Sequence, residues 1–184
     1  MRAVTLRGVW IRRMRVEDIP RVHEIDVASF ALPWPESSYR FEIEANPSAH
    51  LWVAEWQNEQ GRYEIVGMIV VWLIIDEAHI ATFAVHPQFR GYGIGQRLLA
   101  QALLEMHRMG AQRFTLEVRR SNLPAQSLYR KLGFEVISVR PGYYRDNHED
   151  ALIMNLEHLD VALVERLSRE ESSPGSPTLT GGQP

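Results

Sequence analysis

"HPQFRGYGIGQRLL", residues 86–99, sets glycines at 91, 93 and 95 between Arg90 and the start of an amphipathic run. The segment before it, "AHIATFAV" (78–85), has strand character. After it, Ile94, Leu98, Ala102, Leu103 and Met106 form one helical stripe that Gly110 closes as a C-cap. Strand, glycine loop and helix in that order aim backbone N–H groups and a helix dipole at one anion, and the missing Cβ atoms let a phosphate come close. A nucleoside-triphosphate loop would end in Gly-Lys-Ser/Thr, but Gly95 is followed by Gln96. Dinucleotide and S-adenosylmethionine loops run straight from the strand into the first glycine. Here "HPQFRG" separates Val85 from Tyr92, the third glycine of that fingerprint would fall at Gln96, and the unit lies mid-chain. What remains is a loop in which Arg90 and successive amides wrap a pyrophosphate; the bland alternative is a glycine-rich turn with no ligand.

Composition narrows the class. The 184 residues, 45% hydrophobic with five tryptophans, suit one globular domain with a tail. A net charge of −3 gives no general pull toward nucleic acid or an anionic membrane. The absence of cysteine excludes disulfides, thiolate nucleophiles and cysteine zinc sites, and no histidine pair has metal-ligand spacing. The longest apolar run, "IVGMIVVWLII" (65–75), is too short to span a bilayer, and the N-terminus lacks the apolar region of a signal peptide. A soluble cytoplasmic protein without metal is expected.

Around the glycine loop the chain alternates between period 2 and period 3.6. "VWIRRM" (9–14) reads as a strand, "RVEDIPRVHEIDVASF" (15–30) as a helix begun at Asp18-Ile19-Pro20, and "PWPESSYRFEIEAN" (33–46) as a second short helix. "LWVAEW" (51–56) and "EIVGMIVVWLII" (64–75) bracket the turn signal "QNEQGR" and predict a hairpin. "RFTLEV" (113–118) alternates, with Phe114, Leu116 and Val118 on one face and Thr115 and Glu117 on the other. "SNLPAQSLYRKLGF" (121–134) is a capped helix ending at Gly133, and "EVISVR" (135–140) and "DALIMNL" (150–156) are closing strands around the loop "PGYYRDNHE" (141–149). This predicts an α/β (α+β) fold, a mixed and mostly antiparallel sheet of six to seven strands with helices on both faces. The domain would span 1–158. Residues 159–184 would add a short helix and a Pro/Gly/Ser/Thr-rich disordered tail.

Arg90-Gly91-Tyr92-Gly93-Ile94-Gly95 matches the Arg/Gln-x-x-Gly-x-Gly/Ala motif, and the chain resembles the GCN5-related N-acetyltransferases. "AVHPQFRGYGIGQRLL", "LEVRRSNLPAQSLYRKLGF" and "PGYYRDNHEDALIMNL" together are similar to the bacterial ribosomal-protein alanine N-acetyltransferases, with archaeal N-terminal acetyltransferases close by. The resemblance spans residues 9–157. It implies acetyl-CoA as co-substrate and the N-terminus of a protein or peptide as acceptor. Phe83, Ala84 and Val85 would end a strand that splays from its neighbour and pair with the pantetheine arm, the Val85 N–H serving as oxyanion donor. Arg90, Gly91, Tyr92, Gly93, Ile94, Gly95 and Gln96 would hold the pyrophosphate, and Asn122 would touch the cofactor. Glu117 matches the general base and Tyr129 the general acid. Tyr143 and Tyr144 would line one wall of a peptide groove, with "ALPWP" (31–35) the other.

The chemistry is consistent with those roles. An α-amine with pKa about 8 is roughly a tenth neutral at pH 7, whereas a lysine near 10.4 is about 3 kcal/mol worse. A modest base acting through water therefore serves an N-terminus more easily. Asn122 and Tyr129 lie seven residues apart on one helix, roughly 10 Å, so one reaches the pantetheine region while the other approaches the sulfur. The plain alternatives are a solvated Glu117 and a core Tyr129. His79 and His86 read as solvated or capping, and Arg119 and Arg120 as exposed or as attracting the acidic cofactor. The reading is direct acetyl transfer in a ternary complex, with a ribosomal protein beginning with alanine or serine as acceptor. Its rivals are a lysine or small-molecule amine acceptor, and a non-catalytic acyl-CoA-sensing or partner-binding module.

Overall fold

Period-2 patterning becomes seven strands in a computed structural model of the chain, which describes residues 8–57 and 60–169. In chain order the elements are β1 (Val9–Arg13), α1 (Ile19–Ser29), α2 (Glu36–Glu44), β2 (Ala49–Gln57), β3 (Tyr63–Ile74) and β4 (Glu77–Val85). There follow α3 (Ile94–Arg108), β5 (Arg113–Arg119), α4 (Leu123–Lys131), β6 (Glu135–Tyr144), β7 (Glu149–Leu156) and α5 (Val161–Arg169). The strands form one sheet in the order β1-β2-β3-β4-β5-β7-β6. Every pair is antiparallel except β4–β5. The mixed, mostly antiparallel sheet is the one the periodicity predicts.

Helices cover both faces. On one, the α3 stripe from Ile94 to Met106 packs with Phe114, Leu116, Val118 and Met154 of the sheet and with Tyr129 and Leu132 of α4. On the other, Ile19, Val22 and Ile25 of α1 and Tyr39 of α2 cover Leu51, Val53, Met68 and Val70. With helices on both sides, the middle of β3 is buried residue after residue and loses the polar-apolar alternation of an exposed sheet. The entry to α1 is held by Asp18. It accepts from the Arg12 guanidinium at 2.7 and 2.9 Å and from the Arg15 N–H at 2.7 Å. Burial works against that carboxylate, but these donors outweigh it and keep its pKa below the ordinary range.

One irregularity shapes the molecule. Opposite β3, Val70 pairs with Thr82 and Val71 with Ile80, so Ala81 is an extra residue in β4. A bulge bends its strand and breaks the ladder. The parallel β4–β5 pairing runs from Glu77↔Arg113 to Ile80↔Leu116 and stops there, at the bulge. Both strands continue, β4 to Val85 and β5 to Arg119, leaving a V-shaped opening in the sheet.

Two expectations change. The "PGYY" part of the predicted loop belongs to β6, which runs through Pro141 and Gly142 to Tyr144, so Tyr143 and Tyr144 end a strand. The pairing is irregular between Arg140 and Tyr144, and an edge strand tolerates a proline without a donor. The helix after 158 is not an appendage. Val164 and Leu167 of α5 are 0% and 1% exposed within the α3-side core, so packing extends past the predicted boundary. The predicted tail, 172–184, lies outside the described residues.

Candidate active site

The donor side is built at the mouth of the V. Gly91 and Gly93 take φ of +84° and +76°, a left-handed conformation in which a Cβ is strained, and Gly93 is the N-cap of α3. No side chain caps that helix, so the amides of its first turn have no partner within it and point into the loop. At Gly95 a Cβ would meet Phe83 Cζ at 3.3 Å and Val85 Cγ2 at 3.5 Å. Its absence lets α3 start directly against the end of β4. Tyr92 and Ile94 turn their side chains toward the core, leaving only backbone for a ligand. The edge of β4 at Phe83, Ala84 and Val85 faces the opening that β5 has left. The unpaired backbone of that edge suits an extended segment laid along it as a further strand.

Two residues of the predicted pyrophosphate set are used otherwise. Arg90 donates to the Val85 carbonyl at 2.9 Å and to the Ser29 hydroxyl at 3.1 Å, fastening the loop to β4 and to the end of α1. Gln96 turns toward α4, where its Oε1 accepts from Lys131 Nζ at 2.5 Å. Asn122 is the N-cap of α4, its Oδ1 accepting from the Ala125 N–H at 3.2 Å. His86 caps the short turn after β4, as expected of it.

Glu117 stands just past the last β4–β5 pair, on the face opposite Leu116. Its Oε2 lies 2.7 Å from His79 Nε2 and its Oε1 accepts from Arg140 at 3.1 Å. A carboxylate only accepts, so His79 carries its proton on Nε2. The His79 hydrogen bond, with its charge and that of Arg140 behind it, outweighs burial and holds the Glu117 carboxyl below its ordinary range. The sequence reading that left His79 solvated or capping is thus corrected: it is the partner of Glu117.

From His79 an aromatic wall leads away across the sheet. Its ring meets Trp72 at 5.5 Å, and Trp72 stacks on Trp34 at 6.2 Å. Trp34 is held by both backbone groups, its N–H donating to Asp26 at 2.6 Å and its carbonyl accepting from His23 at 2.9 Å. The "ALPWP" turn is thereby fixed against α1 and the Trp72 ring.

Tyr129 belongs to the other face of the sheet. It is buried between Phe83 at 6.5 Å and Phe134 at 5.9 Å, at the donor side of the opening. Burial raises its pKa, so the phenol stays protonated through neutral pH. Glu117 and Tyr129 therefore approach the opening from opposite faces. Arg119 and Arg120 pair with Asp146 of the β6–β7 turn and with Glu149 and Asp150 at the start of β7.

The family model of the Acetyltransferase (GNAT) family matches residues 19–134. A Bacillus subtilis (strain 168) protein is 41% identical over 144 residues, 78% of this chain and 92% of its own; its name as a [ribosomal protein bS18]-alanine N-acetyltransferase is provisional. The crystal structure of the ribosomal-protein-S18-alanine N-acetyltransferase from Escherichia coli superposes with a TM-score of 0.71 at 27% identity, covering 82% of this chain and 95% of that one. The Ard1 structure from Thermoplasma volcanium gives 0.71 at 28% identity, covering 83% and 99%.

Proposed function

The chain belongs to the Acetyltransferase (GNAT) family and is an N-acetyltransferase, and from that premise we propose that it moves the acetyl group of acetyl-CoA onto the α-amine of a protein N-terminus. The acceptor class is a ribosomal protein beginning with alanine or serine, bS18 being the acceptor in the names of its relatives. A cytoplasmic location follows from such an acceptor. One observation carries the reading: an ionised, clamped carboxylate stands at the point where the opening joins a donor edge to an aromatic wall.

Acetyl-CoA, when bound, supplies an activated acyl carbonyl on a thioester. The uncapped amides at the start of α3 would hold its pyrophosphate, and the open edge of β4 at Phe83, Ala84 and Val85 would pair with its pantetheine arm. Glu117 attracts the α-ammonium group and, through water, receives the proton that the amine must lose. A carboxylate held below its ordinary pKa is a weak base. It suits an amine already about a tenth neutral at pH 7 and suits a lysine poorly. Tyr129, a protonated phenol on the donor side, supplies the proton for the departing thiolate. Tyr143 and Tyr144, at the end of β6, would form one wall of the peptide groove and the Trp34–Trp72 stack the other.

The test is release of the CoA thiol with peptides that differ only at residue one, beside an Nα-blocked control. Turnover with alanine or serine first, and none with the blocked peptide, is expected. Equal turnover with the blocked, lysine-containing control would overturn the acceptor assignment.

A further inference from the structure

Arg119 ends β5 beside the acceptor wall and holds the β6–β7 turn with both terminal nitrogens. One donates to Asp146 at 2.8 and 3.0 Å, the other to Asn147 at 3.1 Å and Glu149 at 3.3 Å. The guanidinium carbon lies 3.8 Å from the centroid of the Tyr144 ring. A planar guanidinium flat against an aromatic face fixes the plane of that ring, which a rotating ammonium does not do. Tyr144 meets Tyr143 edge-on at 5.2 Å, and Tyr143 in turn carries Arg140, the partner of Glu117. Burial pushes the Tyr144 phenol up to about 12, and its charge, were it to ionise, would be felt at both Glu117 and Tyr129. The turn is also held without Arg119: Glu149 accepts from the Ser121 N–H at 2.7 Å and Asp150 from the Gly142 N–H at 3.1 Å. Beyond those fastenings Arg119 adds its hold on Asp146 and Asn147 and the orientation of one ring.

We propose that Arg119 is a positioning residue for the acceptor: stacked on Tyr144 and locked by Asp146 and Glu149, it sets the Tyr144 phenol as the surface along which the incoming N-terminus is laid beside Glu117. This rests on the α-amine reading above. Its consequence is selective. Loss of Arg119 weakens acceptor binding, leaves acetyl-CoA binding in place, and acts only through Tyr144.

The experiment compares Arg119→Ala, Arg119→Lys, Tyr144→Ala and the Arg119→Ala/Tyr144→Ala double variant, using acetyl-CoA and an alanine-first peptide. Arg119→Ala is expected to raise the peptide KM about tenfold, with the acetyl-CoA KM within about twofold of wild type. Arg119→Lys should recover little of the loss, because charge without a flat fork does not fix the ring. In the Tyr144→Ala background, removing Arg119 should change the peptide KM no further. An equal penalty in both backgrounds, a shift in the acetyl-CoA KM alone, or a lowered melting temperature with unchanged kinetics would each overturn the proposal. Should Arg119→Ala not fold, Arg119→Lys alone and combined with Tyr144→Ala supports the same comparison. Failure of the wild-type protein to acetylate any peptide N-terminus strikes the acceptor reading; transfer with additive effects strikes only the role of Arg119.

Discussion

Glu117 has both oxygens engaged, one by His79 and one by Arg140, and its pKa is held down by them. Because its folded pKa lies below that of a free carboxyl, it stays ionised across the whole neutral and alkaline range. The pH dependence of turnover should then follow the acceptor amine. About 3% of an amine with pKa near 8 is neutral at pH 6.5, and about 90% at pH 9. Glu117→Gln should therefore lower kcat/KM about tenfold or more at pH 6.5 but only about two- to threefold at pH 9, read from initial rates on an alanine-first peptide. An equal loss at both values would remove Glu117 from the proton path. Glu117 itself could be picked from its place at the end of "RFTLEV" and from the family resemblance. His79 could not. Its tie to Glu117 depends on β4 and β5 lying side by side in one parallel register, with His79 opposite Thr115, and register between distant strands leaves no local mark in the sequence.

At the scale of elements, α3 and β4 owe their close approach to Gly95. Gly95→Val would place carbon where Phe83 and Val85 already lie, and the start of the helix would have to move off the strand end. The acetyl-CoA KM should rise about tenfold with the peptide KM little changed, as steady-state kinetics with each substrate varied would show; a change confined to the peptide KM would separate the loop from the donor. At the far end of the chain, α5 is part of the core. Leu167→Ala should cost about 2–4 kcal/mol by denaturant unfolding, whereas a loosely attached helix would lose almost nothing. The number and order of elements were readable because each rests on local periodicity: the Ile94–Met106 stripe, the alternation in "RFTLEV", the caps before α1 and α4. The strand character of Tyr143 and Tyr144 was hidden by Pro141 and Gly142, which locally signal a turn. The packing of α5 was hidden because eight or nine amphipathic residues beside a polar tail look the same docked or free. The Ala81 bulge, which opens the sheet, was silent for the same reason as the register of His79.

Across the whole molecule the opening between β4 and β5 lets two surfaces meet that the sheet would otherwise separate. The α3–α4 face brings the glycine loop, the β4 edge and Tyr129; the α1–α2 face brings Trp34, Trp72, His79 and Glu117. A donor entering from one face and an acceptor from the other can react without any covalent attachment to the protein, which agrees with a chain that contains no cysteine. The division also explains why the donor was easier to read than the acceptor. The glycine loop is continuous in sequence from Arg90 to Gln96, whereas the acceptor wall is gathered from the α1–α2 turn, β3, β4, β5 and the end of β6. The central claim, selectivity for an α-amine over a side-chain amine, is tested most directly on one peptide that begins with alanine and carries an internal lysine. Incubated with acetyl-CoA and the protein, then fragmented in a mass spectrometer, it should carry the acetyl group on the alanine nitrogen alone. Acetyl found on the lysine with the N-terminus left free would contradict the account.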